Sequence, residues 1–240
     1  MARTPRLTLA GELHYALQRG HNCQSVFADD RDCESYLAML RDAAVEYKVA
    51  VHGYALLHSD VHLLVTPSST ESLSRLMQSL GRRYVAAFNR RHGRSGTLWA
   101  GRFRAGLIDG ATLGADALVH VEALPVRVGL ATSEVEWPWS SAAHHLGRRR
   151  DPLVTEHTAY WALGNTPFER ELAHAHRLKD GLSRALSEVF ERTAIRGQAL
   201  GPPSFRNRIE AQTGHSLHPK RRGRPAMATP KGPSIKTDPI

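Results

Sequence analysis

The order of elements along this chain predicts an α+β fold: a ferredoxin-like, split βαβ sheet with helices on one face. Short apolar runs with strand character alternate with segments whose apolar residues keep a helical period. These segments fall in the order β-α-β-β-α-β followed by a further helix, the order of the split βαβ arrangement. Beyond Pro138 the character changes to shorter helical stretches, and after His215 periodicity is lost. The expected organisation is therefore a domain over 1–145, a small, mainly helical C-terminal appendage over 146–214, and a disordered basic tail over 215–240.

Each element has its own signal. Leu13 to Gln18 reads as a first strand, ended by Arg19-Gly20-His21-Asn22. Between Arg31 and Tyr47, Tyr36, Leu37, Leu40, Ala44 and Tyr47 keep a helical period. Val49–Leu57 and Val61–Thr66 read as a strand pair. Thr70 to Arg91 is expected to be a long helix, opened by capping residues Ser68, Ser69 and Thr70 and carrying Leu73, Leu76, Met77, Leu80, Tyr84 and Phe88 on one stripe. Leu98 to Ile108 has strand character, and Ala111 to Leu124 is a further helix. Ala159–Leu163 and Pro167–Ile195 look helical, and Gly201-Pro202-Pro203-Ser204-Phe205 opens another short helical piece.

At 240 residues the chain can hold one sizeable core, or one domain with an appendage. Its 32 Lys and Arg against 23 Asp and Glu give a formal charge of +9, which favours a polyanion as partner. Seven arginines (82, 83, 90, 91, 94, 102 and 104) and no acid lie between Gly81 and Arg104. A solvated face normally interleaves both signs, so this stretch points to phosphate contacts. Cys23 and Cys33 make neither a disulfide framework nor a zinc site. With no apolar run of membrane-spanning length and no signal-peptide core, a cytoplasmic protein with no membrane partner is expected.

The most informative segment is Tyr54 to Pro67, two apolar strands around a short polar interruption. Residues two apart on a strand share a face, so Asp60 and His62 point the same way, with His58 at the same parity. A carboxylate beside an imidazole on a rigid strand can hold a divalent cation. The competing reading makes His62 a partly buried strand histidine and Asp60 a turn residue. Trp99 and Phe103, beside Arg102 and Arg104, either stack on unpaired bases or belong to the core of the fourth strand.

Several ordered motifs resemble the single-tyrosine transposases of the HUH class, and in particular their REP-associated branch. They are Gln18-Arg19-Gly20-His21-Asn22, Asp60-Val61-His62-Leu63-Leu64-Val65, Leu80-Gly81-Arg82-Arg83-Tyr84 with Phe88-Asn89, and Gly96-Thr97-Leu98-Trp99-Ala100-Gly101-Arg102-Phe103. Pro125-Val126-Arg127-Val128-Gly129-Leu130 and Trp137-Pro138-Trp139-Ser140-Ser141 follow. The resemblance covers roughly residues 10 to 145, more loosely to about 225, and implies the same ferredoxin-like fold.

It further implies metal-dependent nicking and rejoining of single-stranded or hairpin DNA. In such enzymes two strand histidines and a polar side chain of a later helix hold Mg²⁺ or Mn²⁺, and a tyrosine of that helix attacks the phosphate. This chain departs from the pattern at three of four positions. Asp60 replaces the first histidine, His120 the tyrosine and Leu124 the helix ligand; His62 alone remains. The expectation is a DNA-binding protein with impaired cleavage. The alternative is an active enzyme with Asp60, His62 and His120 as a remodelled metal site and Glu122, Tyr54 or Tyr84 nearby. A third reading is a binding module with no nucleic-acid role. The expected DNA contacts are Arg19, Arg82, Arg83, Arg90, Arg91, Arg94, Trp99, Arg102 and Arg104. Arg222 and Arg224, in an AT-hook-like Pro219-Lys220-Arg221-Arg222-Gly223-Arg224-Pro225 segment, suit an A·T-rich minor groove. A monomer and a homodimer are both compatible with the resemblance.

Overall fold

A computed structural model describes residues 7–214. The expected AT-hook segment lies outside the described residues. The first strand, β1 (Leu13–Arg19), leads through a tight loop to α1 (Asp30–Glu46). The helix starts where the side chain of Asp29 accepts a hydrogen bond from the Asp32 amide, with Asp30 and Asp32 in the positive first turn. Then follow β2 (Val49–Leu56), β3 (Asp60–Pro67), α2 (Ser72–Arg91) and β4 (Arg104–Ile108). The sheet order is β2-β3-β1-β4, all neighbours antiparallel, which is the ferredoxin-like arrangement.

The fourth strand is shorter than the sequence suggests. Residues before Arg104 run irregularly, touching the sheet edge through a single bridge between Gly20 and Trp99. Gly96 and Gly101 take positive φ of 86° and 154° there, which turns the chain away from strand geometry.

Both faces of the sheet are covered. Helices α1 and α2 pack on the first, over Ala16, Val51, Tyr54, Val61, Leu63 and Val65. On the second face, Leu13, Tyr15, Leu17, Ala55 and Leu64 meet α3 (Gly110–Glu122). Short α4 (Leu124–Arg127), α5 (Ala142–His145) and α6 (Thr158–Trp161) follow, then α7 (Pro167–Asp180) and α8 (Arg184–Arg196). The expected helix over Pro167–Ile195 is thus broken in two at Gly181, whose φ of 66° is outside the helical region. α8 brings Phe190 and Ala194 into the second-face core. A two-residue strand, β5 (Ala199–Leu200), then pairs parallel with β4, and α9 (Pro203–Thr213) closes the described chain. On the second face α8 thus shares one core with α3. Among the described residues no helix is long and apolar enough to cross a membrane.

Candidate functional site

Asp60 and His62 sit at the start of β3, paired across the antiparallel register with Arg19 and Leu17 of β1. Strand alternation puts both on the second face, with Tyr15 of β1 at the same parity. The Tyr15 hydroxyl and His62 Nδ1 share a 2.6 Å hydrogen bond, and their rings stack with centroids 5.9 Å apart. His120 of α3 meets the edge of the Tyr15 ring at 5.1 Å. Phe190 of α8 stacks on the far side of His120 at 5.0 Å. The order from strand to outer helix is His62, Tyr15, His120, Phe190.

This column is buried: Tyr15 and His120 are each 1% exposed and His62 3%. Burial drives the His62 pKa well below its usual value, helped by His120 and by the charges of Arg19 and Arg127. His120 is lowered to about 3, first by burial and then by Arg127. Burial also raises the Tyr15 phenol well above its ordinary range. All three groups are neutral at physiological pH. Arg127 Nη1 lies 3.4 Å from His120 Nδ1, and a guanidinium only donates, so the His120 proton belongs on Nε2. That nitrogen is buried with no hydrogen-bond partner among the described residues.

Asp60 is directed elsewhere. Its carboxylate accepts from Ser59 Oγ at 3.1 Å and pairs with Arg19 Nε at 3.4 Å. Arg19 also reaches Glu191 of α8 at 3.4 Å. His58 is exposed and meets Trp137 edge-on. Leu124 is buried in the second-face core and offers no ligand atom. Tyr54 and Tyr84, named with this site from the sequence, lie across the sheet in the first-face core. Their hydroxyls donate to Asp151 and to the Val26 carbonyl. As arranged, Asp60, His62 and His120 do not fit a divalent ion: one histidine nitrogen faces a phenol, another a guanidinium, and the carboxylate an arginine.

The arginines divide into two groups. Arg91 forms ion pairs with Asp29 and Asp32 at the start of α1, and Arg83 pairs with Asp42 at 3.1 Å. Arg94 donates to Gln24 at 2.9 Å and lies over the Phe88 ring. Arg82, Arg90, Arg102 and Arg104 are exposed, with no ion-pair partner among the described residues. Trp99 is not on this surface. It is 7% exposed and packs against Tyr36 and Tyr84 in the first-face core, to which Phe103, 5% exposed, also belongs. Base stacking on either ring would require the core to open.

Two constellations escaped sequence reasoning. Tyr15 looks like one more apolar strand residue, and only the register with β3 sets it against His62. Glu122, inside the apolar run of α3, faces away from His62. It accepts from Ser141 Oγ, from His145 Nδ1 at 2.7 Å and from His174 Nε2 at 2.7 Å. Among the described residues, this is the group of three that places ligand atoms within 4.8 Å of one another. A carboxylate in an otherwise apolar helical segment was the one sequence signal for it.

The chain is similar to several solved structures. One is a REP-associated tyrosine transposase bound to a REP hairpin, 19% identical, with 66% of this chain and 96% of that chain covered at a TM-score of 0.45. Another is a candidate transposase from Deinococcus radiodurans R1, also 19% identical, with 43% and 84% covered at a TM-score of 0.34. No family model matches the chain, and no curated protein matches it.

Proposed function

We propose that this protein is a DNA-binding relative of the REP-associated tyrosine transposases whose metal-dependent strand cleavage is impaired. The sequence motifs support the family, and the ferredoxin-like strand order agrees with the fold they imply. One observation carries the impaired reading: the nucleophile position holds His120, an imidazole buried beneath Phe190 and pressed against Tyr15. A phosphate cannot approach it without displacing α8. Tyr15 supplies a phenol beside His62, but it is equally buried, and its high pKa opposes formation of the phenolate that attack requires.

DNA binding does not depend on that column. Arg82, Arg90, Arg102 and Arg104 offer four exposed guanidiniums to a phosphate backbone. Single-stranded or hairpin DNA is the proposed ligand, with Arg222 and Arg224 of the tail reaching an A·T-rich minor groove. Mg²⁺ or Mn²⁺ would enter only if the site opened and Asp60, His62 and His120 rearranged.

The test incubates the full chain, and a His62→Ala control, with a labelled hairpin from beside its own gene in the presence of Mn²⁺ or Mg²⁺. Retarded DNA with no defined product on a denaturing gel is expected. Metal-dependent cleavage that the control loses would overturn the impaired reading. Absence of binding at low salt would overturn the DNA reading. Replacing Arg82, Arg90, Arg102 and Arg104 by Gln should flatten the dependence of log affinity on log salt, by about 0.7 for each phosphate no longer neutralised.

A further inference from the structure

Glu122, His145 and His174 have side chains with no solvent exposure at all, on α3, α5 and α7. A carboxylate at full burial must have its charge compensated, because desolvation alone would force it to take up a proton. Here its two oxygens face His145 Nδ1 and His174 Nε2, each at 2.7 Å. Neutral histidines supply hydrogen bonds but no charge. A cation among the three side chains, whose ligand atoms lie within 4.8 Å of one another, would supply the compensating charge.

We propose that Glu122, His145 and His174 form a structural Zn²⁺ site that pins the C-terminal helices to the sheet domain. Two imidazoles and a carboxylate are a donor set that Zn²⁺ accepts, and with both Glu122 oxygens facing the imidazoles, bidentate ligation would supply the fourth donor that a closed structural site needs. Both oxygens of Glu122 already face a ring nitrogen at 2.7 Å. Tetrahedral Zn²⁺ ligation widens such separations to about 3.3 Å, a shift of side-chain rotation rather than of helices. The Ser141 hydroxyl bonds the same carboxylate and fixes its orientation as an outer partner. The site stands across α3 from His62, independent of the DNA reading. Residues 122, 145 and 174 are far apart in sequence, so an ion joining them closes two long loops. With no open path to solvent, the ion must bind before α7 docks and leave only when α7 lifts.

The test grows the full chain in Zn²⁺-supplemented medium, purifies it, and measures metal by mass spectrometry beside a His62→Ala control and a His174→Gln variant. About one Zn²⁺ per chain is expected in the wild type and in His62→Ala, and much less in His174→Gln. Chelator should strip the ion slowly from the native protein and at once in urea, and Zn²⁺ added on refolding should raise the melting temperature. The refolding and chelation arms use the wild-type chain alone, so they decide the matter even if His174→Gln fails to fold. Absence of retained zinc together with an unchanged melting temperature would overturn the site. Zinc lost in His62→Ala but kept in His174→Gln would place the ion on β3 and overturn it equally.

Discussion

The Tyr15 hydroxyl and His62 Nδ1 satisfy each other at 2.6 Å in a setting where neither group ionises. Water cannot replace either partner there, so removing one strands the other. Tyr15→Phe deletes only the oxygen and leaves His62 Nδ1 bare in the second-face core. The expected cost is about 1–3 kcal/mol, read as a lower urea midpoint at an unchanged denaturant slope. An unchanged midpoint would mean that the bond contributes nothing net. The same reasoning explains why Arg91 and Arg83 differ from Arg82 and Arg90 on one helix. The first two reach acids of α1, while the second two reach none among the described residues, and only charges left over from folding are free for a phosphate.

At the scale of elements, α8 decides whether the column under it is open. It lies against β4 and β1, and its approach is set by Gly106 of β4. A Cβ added at Gly106 would meet the Thr193 carbonyl oxygen of α8 at 2.7 Å and its carbon at 2.8 Å. Those atoms are helix backbone and cannot swing aside. Gly106→Ala should therefore lift α8, costing about 1–3 kcal/mol by overpacking. It should also raise the hydrogen exchange of β4 and α8 amides together, whereas exchange raised in β4 alone would show that the helix holds its seat. Gly20 plays a similar part at the end of β1, where a Cβ would fall 2.4 Å from the Gln24 carbonyl oxygen. The Arg19-Gly20-His21-Asn22 motif thus has a steric basis in the loop that joins β1 to α1.

The whole molecule buries several histidines in neutral form, and this makes it acid-sensitive. His14 and His52 are both held at about 4, chiefly by burial, and His62 is also shifted well down. In the unfolded chain the same groups titrate near 6.5. Below that pH the unfolded state binds protons that the native state refuses, so stability falls with pH between about 6.5 and 4. His14 and His52 alone amount to a few kcal/mol, on the order of 1.4 kcal/mol per pKa unit. Urea unfolding at pH 7.5 and pH 5 should show this loss. Equal stability at the two values would mean that these histidines stay accessible to protons in the native fold.

What the sequence determined by itself was local and periodic. The short apolar runs of Leu13–Gln18 and Val61–Thr66, and the stripe from Leu73 to Phe88, locate strands and a helix of the split βαβ unit. The departures at Asp60, His120 and Leu124 were legible only through the resemblance to the transposase family, which supplies the pattern they depart from. What only the tertiary structure decided depends on which surfaces meet. Strand register placed Tyr15 against His62, and the packing of α8 put Phe190 over His120. The return of α5 and α7 gathered Glu122, His145 and His174 from distant parts of the chain. Period reports which face of an element is apolar, but the partner of that face is chosen by long-range packing, on which local spacing has no bearing.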